Sequence, residues 1–263
     1  MMSKTRTSTV LIGALALVTS TLAAFAPASA QPRAAPGVTY SLNPVAATEK
    51  RPDPRRYAER VDAFLAQDKQ APPDPCSILF IGSASVVAWK TLKADMAPAP
   101  VFARGLGAST IADQIFFFDK IVAPYRPRAI FMYATENDVV NGLTPDEVLA
   151  DLKSFMDLKR KVLGATPVYF LAAKASPARL AFAADQQKAN ELARQLATRQ
   201  SDLVYIDVAH VMWEDGKVLG QLKPLYVPDG IHLTPEGYVI WTRIIKPYVE
   251  KEAARTNACP GPR

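Results

Sequence analysis

The residues best suited to chemistry in this 263-residue chain fall in four short polar clusters. Asp229-Gly230-Ile231-His232 sets a carboxylate three residues before an imidazole. An acid and an imidazole so spaced can hydrogen-bond to each other. Gly82-Ser83-Ala84-Ser85 offers hydroxyls in a tight turn, and Arg104-Gly105-Leu106-Gly107-Ala108 offers backbone N–H groups. Such donors can meet an anion, although the spacing is not the G-x-G-x-x-G of a dinucleotide site. Tyr133-Ala134-Thr135-Glu136-Asn137-Asp138 adds a side-chain amide. Taken singly, each cluster has an ordinary structural reading: a turn after a strand, a glycine loop before a helix, or a local Asp–His hydrogen bond. Only their order and joint placement point to chemistry.

The elements that must position these clusters alternate between strand and helix. Arg55 to Gln70 reads as a helix with Tyr57, Val61, Phe64 and Leu65 on one stripe, ended by Pro72, Pro73 and Pro75. Short apolar runs at 77–81, 100–102, 128–132, 167–171 and 203–206 suit buried parallel strands. Thr110 can cap a helix to about Val122. Thr144-Pro145-Asp146-Glu147 is a full helix start, with a capping threonine, proline at the first position and glutamate three residues on. Asp185 to Arg199 and Thr234 to about Glu250 complete the helices. This alternation predicts an α/β chain, a parallel sheet of about five strands with helices on both faces. In such sheets ligands bind beyond the carboxyl ends of the strands, so all four clusters belong to one edge.

Together the four clusters resemble the SGNH (GDSL-type) hydrolases, and in particular the secreted or periplasmic branch whose first block reads Gly-Ser-Ser-Ser and is followed by a Trp, here Trp89. The likeness runs from about Lys50 to Glu250 and includes the loop Lys174-Ala175-Ser176-Pro177-Ala178-Arg179. It implies a three-layer α/β/α, flavodoxin-like fold and ester hydrolysis by a serine nucleophile, with no metal or cofactor. The resemblance makes His232 the general base and Asp229 its orienting partner. Asn137 and the backbone N–H groups of Ala84 and Ala108 form the oxyanion hole. The expected substrate is a small-molecule, lipid or carbohydrate ester. Lys174, Ser176 and Arg179 lie where they could meet an anionic or sugar group, or could simply build the loop. Trp89 is expected to pack on the first helical turn and Tyr133 to be core or pocket wall, while His210 is read as structural.

The chain departs from the family at three residues. The nucleophile position is Ala84, which has no nucleophilic atom, and the block glycines are Ala108 and Thr135. If the backbone at Ala108 needs positive φ, the alanine costs roughly 1–2 kcal/mol. Three accounts compete. Ala84 could be an engineered knockout, which leaves the two lost glycines unexplained. Ser83 or Ser85 could substitute, although a one-residue shift redirects the side chain. Or the serine mechanism has been lost naturally, leaving a weak hydrolase or a ligand-binding pseudoenzyme in the same cleft.

The remaining sequence sets the context. Lys4 and Arg6 precede a mostly apolar run, Val10 to Ala24, and Ala28-Ser29-Ala30 supplies small residues before a cleavage point. Residues 1–30 therefore read as a signal peptide cut after Ala30, since the run is short of the roughly 20 residues of a spanning helix. Residues 31–49 read as a flexible lead-in, 50–252 as the hydrolase-type domain and 253–263 as a tail. The expected location is secreted or periplasmic, without stable membrane insertion. The net charge of +6 would fall to +4 with the signal removed. Basic and acidic residues are interleaved, which argues against a nucleic-acid surface. Cys76 and Cys259 lack metal-ligand spacing, and in an oxidising compartment they could pair. Two free thiols are the alternative.

Overall fold

A computed structural model describes residues 50–214, 217–218, 224–256 and 259. The expected signal peptide and lead-in lie outside the described residues. A 3₁₀ turn at Pro54–Tyr57 runs into helix α1 (Ala58–Gln70). There follow β1 (Ile78–Gly82), α2 (Ala84–Ala88), α3 (Leu92–Asp95), β2 (Val101–Gly105), α4 (Ile111–Phe116), α5 (Phe118–Ile121) and β3 (Ala129–Tyr133). The second half holds α6 (Glu136–Val140), α7 (Pro145–Leu163), β4 (Val168–Leu171), α8 (Ala183–Ala197), β5 (Leu203–Ile206), a two-strand hairpin β6 (Trp213–Glu214) and β7 (Lys217–Val218), and α9 (Pro235–Ala254).

The five long strands form one parallel sheet in the order β2-β1-β3-β4-β5. Alternate residues face opposite sides, as the pleat requires. Leu79, Ile81, Ile130, Met132, Val168 and Phe170 meet α1, α4, α5, α7 and α8 on one face. Ile78, Phe80, Phe131, Tyr169 and Leu171 meet α2, α3 and α9 on the other. On that second face, Phe131 stacks between Phe80 and Tyr169, with centroids at 4.8 and 4.4 Å. The result is the three-layer α/β/α architecture expected from the strand–helix alternation.

Helix starts follow their local chemistry. At α7, Thr144 Oγ1 accepts from the N–H of Glu147, and the Glu147 carboxylate accepts from the N–H of Thr144. The helix expected from Thr110 to Val122 is broken in two at Phe117, which caps both α4 and α5. The lead-in turn and α1 secure the β2 edge. Tyr57 donates to the Gly107 carbonyl and Arg56 pairs with Asp113. Buried Arg104 bonds Asp68 and Tyr125 and lies over the Phe64 ring. Cys76 and Cys259 are joined in a disulfide, with Cα atoms 5.4 Å apart.

Candidate active site

The site begins with strand register. Gly82 lies opposite Gly105 on one side and Tyr133 on the other, so three of the polar clusters leave the sheet side by side. Glycine is required at 82. Its φ is +131°, and a Cβ there would stand 1.9 Å from the Tyr133 carbonyl oxygen. Gly105 permits a similar approach by α2, because its Cβ would lie 2.8 Å from Val87 Cγ2.

Directly after β1, Ala84 is the first residue of α2. It is half-buried, whereas its neighbours Ser83 and Ser85 are buried. The first turn of α2 is fastened to α9 by Tyr238, whose hydroxyl donates to the Ser85 carbonyl at 2.9 Å. Trp89 is buried against Tyr238, and its indole N–H donates to Asp95 at 2.6 Å.

After β2, Ala108 has φ +59°, and after β3, Thr135 has φ +105°. Both take up backbone conformations natural to glycine. The N–H groups of Ala84 and Ala108 have no acceptor among the described residues, so both can serve a ligand. Buried Asp138 ties the two loops together. It accepts from the N–H of Ile111 at 3.0 Å and from that of Thr135 at 2.9 Å. Burial raises its carboxyl to about 7, against the opposing effect of those N–H groups.

Asn137 sits in the first turn of α6, buried, with Nδ2 donating to the Ser109 carbonyl at 3.1 Å. Beside it lies an ionic cluster that the sequence did not announce. Glu136 is buried and accepts from Tyr133 Oη at 2.7 Å, Lys174 Nζ at 3.0 Å and Arg179 Nη1 at 3.0 Å. Burial alone would raise its carboxyl, but Lys174 and Arg179 leave it below the usual value. Lys174 and Ser176 are wholly buried on Glu136, which fits a structural loop; only Arg179 keeps part of its side chain exposed. The signal that could have found Glu136 was the pair of cations in the loop after β4, which need a counter-charge once buried.

The Asp229–His232 turn closes on itself. Asp229 Oδ1 accepts from the N–H groups of Ile231 and His232 at 2.8 and 3.0 Å, and Oδ2 lies 2.5 Å from His232 Nδ1. Slight burial would raise the Asp229 carboxyl, but the imidazole and these two N–H groups bring it down to about 2. An ionised carboxylate only accepts, so Nδ1 is the donor in this contact. The Asp229–His232 pair is thus also a local hydrogen-bonded turn. Gly230, at φ +66°, packs on Pro177 and Ala178, and Ala178 N–H donates to the Gly230 carbonyl at 3.1 Å. His210, by contrast, is exposed after β5, 3.4 Å from Asp207. No group of metal-ligating side chains occurs among the described residues, and no described helix is long and apolar enough to cross a membrane.

A five-stranded parallel sheet with helices on both faces is the architecture of the SGNH-type hydrolases. The chain belongs to the GDSL-like lipase/acylhydrolase family, whose sequence profile matches residues 68–240. No curated protein sequence matches it significantly. Among solved structures, it is similar to a GDSL-like lipase from Bacteroides thetaiotaomicron, with 22% identity and TM-score 0.58 over 78% of this chain and 99% of the other. It is also similar to a Streptococcus pneumonia protein provisionally described as a platelet activating factor, with 19% identity and TM-score 0.64 over 74% and 93%. A catalytic mutant of an acetylxylan esterase from Geobacillus stearothermophilus shares 16% identity, TM-score 0.52, over 69% and 97%.

Proposed function

We propose that this chain is an exported ester-recognising member of its family, with the oxyanion-binding and base halves of the site kept and the serine mechanism lost at Ala84. The observation that carries this reading is the Asp229–His232 contact, 2.5 Å between Oδ2 and Nδ1, which leaves Nε2 as a base with no serine to serve. The carbonyl oxygen of a carboxylic ester would lie against Asn137 Nδ2 and the N–H groups of Ala84 and Ala108. In the natural chain, His232 Nε2 takes a proton from water, and the resulting hydroxide adds to the carbonyl carbon. The tetrahedral oxyanion collapses, the C–O bond to the alcohol breaks, and the leaving alkoxide takes the proton from His232. This route lacks an acyl-enzyme and is slow. With serine at 84, the hydroxyl would attack instead and an acyl-enzyme would form and hydrolyse.

Burial of Ser83 and Ser85 argues against either as a substitute nucleophile. The strained Ala108 and Thr135 argue for natural divergence rather than a single engineered change, because one substitution at 84 would not account for them. Export is supported by the disulfide, which fits an oxidising compartment, and by the signal-like first thirty residues. A purely ligand-binding role uses the same cleft, and rate separates the two. The test is hydrolysis of a short-chain nitrophenyl ester by the natural chain and by Ala84→Ser. The proposal expects weak turnover or binding alone in the first and at least about a hundredfold gain in the second, well within the roughly millionfold that loss of a nucleophilic serine costs a triad hydrolase. Rapid turnover by the natural chain would contradict it.

A further inference from the structure

An asparagine amide is a useful oxyanion donor only if its nitrogen, and not its oxygen, faces the substrate. The two ends are nearly the same size, so neighbours must choose between them. Around Asn137 the choice is made by Arg179. Its Nη1 carries two hydrogens; one bonds Glu136 Oε1 at 3.0 Å and the other Asn137 Oδ1 at 3.1 Å. On the other side Asn137 Nδ2 donates one hydrogen to the Ser109 carbonyl at 3.1 Å. Flipping the amide would set NH₂ against the guanidinium and Oδ1 against a carbonyl, losing both bonds and opposing like poles.

We infer that Arg179 is a positioning residue, which fixes the Asn137 amide so that its second Nδ2 hydrogen is left for an oxyanion. The inference rests on the ester-hydrolase reading above. The guanidinium also draws electron density from the amide carbonyl and so strengthens the N–H as a donor. Arg179 is itself held by Glu136, whose other oxygen is taken by Lys174 and Tyr133. The same loop braces the base, since Ala178 N–H holds the Gly230 carbonyl inside the Asp229–His232 turn. One short segment, Ser176 to Arg179, therefore sets both the donor and the base.

Two measurements test this, and they fail separately. The first needs no activity. In the natural chain, the Asn137 side-chain amide signals in a ¹⁵N–¹H spectrum are assigned by their loss in Asn137→Ala. They are expected to be two well-separated, slowly exchanging protons. Arg179→Lys keeps the charge beside Glu136 but loses the planar fork that bridges two acceptors, and should shift these signals while the backbone spectrum and Tm stay close to those of the natural chain. Unchanged amide signals would overturn the inference. The second uses Ala84→Ser as the background and nitrophenyl acetate as the probe. Arg179→Lys should lower kcat about tenfold, a part of what loss of a whole oxyanion donor costs, with KM altered less than about twofold. Added to Asn137→Ala, it should lower kcat no further. Losses that multiply in the double variant would show that Arg179 acts independently of Asn137. An inert Ala84→Ser would count against the proposed function, while the amide signals would still decide the role of Arg179.

Discussion

At the scale of single residues, two positions of the site carry side chains on a backbone that suits glycine better. Ala108 at φ +59° and Thr135 at φ +105° hold glycine-like conformations that the surrounding bonds impose, Asp138 on the Thr135 N–H among them. Strain of this kind costs on the order of 1–3 kcal/mol per residue and persists only where the surroundings over-determine it. The two sites should answer differently to relief. Ala108 is exposed, so glycine there loses little packing. Strain relief of about 1–2 kcal/mol then outweighs the roughly 0.5–1 kcal/mol of extra chain entropy that glycine brings. Ala108→Gly should therefore raise the unfolding free energy by up to about 1.5 kcal/mol, the difference of those terms, as read by urea denaturation. A lower midpoint would mean the alanine is not strained. Thr135 is wholly buried, and its removal leaves a void that offsets the relief, so no gain is expected there.

At the scale of elements, the sheet and its long helices were legible because their signals are local or periodic. The capped start of α7 and the apolar strand runs needed no tertiary context. Less legible were the short helices that begin at the site. Ala84 and Glu136 each open a five-residue helix immediately after a strand, too short to show a helical repeat, and so they read as turns. The break at Phe117 and the small β6–β7 hairpin were hidden for the same reason. Asp229, His232 and Asn137 could be picked out, but Glu136 could not, because its partners Lys174 and Arg179 lie about forty residues on. Asp138 joins two of these elements and gives a pH test. Its folded pKa, about 7, is above the 3.8 of an ordinary aspartate, so the folded state holds a proton that the unfolded chain releases. Its contribution is therefore full below about pH 4 and is lost as pH rises through 7. The stability of the natural chain relative to Asp138→Asn should fall between pH 5 and pH 8, two settings chosen to bracket roughly that titration, as measured by thermal melts. A difference that stays flat or rises would show that the carboxylate is ionised throughout.

At the scale of the whole molecule, the two apolar clusters on either side of the sheet hold the strand ends in register, and the disulfide ties the C-terminal end back to the residue before Ser77 and β1. Cys76 and Cys259 are 183 residues apart in sequence. A crosslink over so long a loop restricts the unfolded chain strongly, by about 2–5 kcal/mol. Cys76→Ser/Cys259→Ser should lose stability of that order under non-reducing conditions and behave like the natural chain after reduction. No difference before reduction would mean that the bond does not form in solution. The proposed function requires a hydrolase frame kept intact around a missing nucleophile. The most direct measurement is fluorophosphonate labelling followed by peptide mass mapping. The natural chain should carry no adduct and Ala84→Ser a single adduct at position 84, abolished by His232→Ala. An adduct on Ser83 or Ser85 of the natural chain, or none on Ala84→Ser, would contradict it.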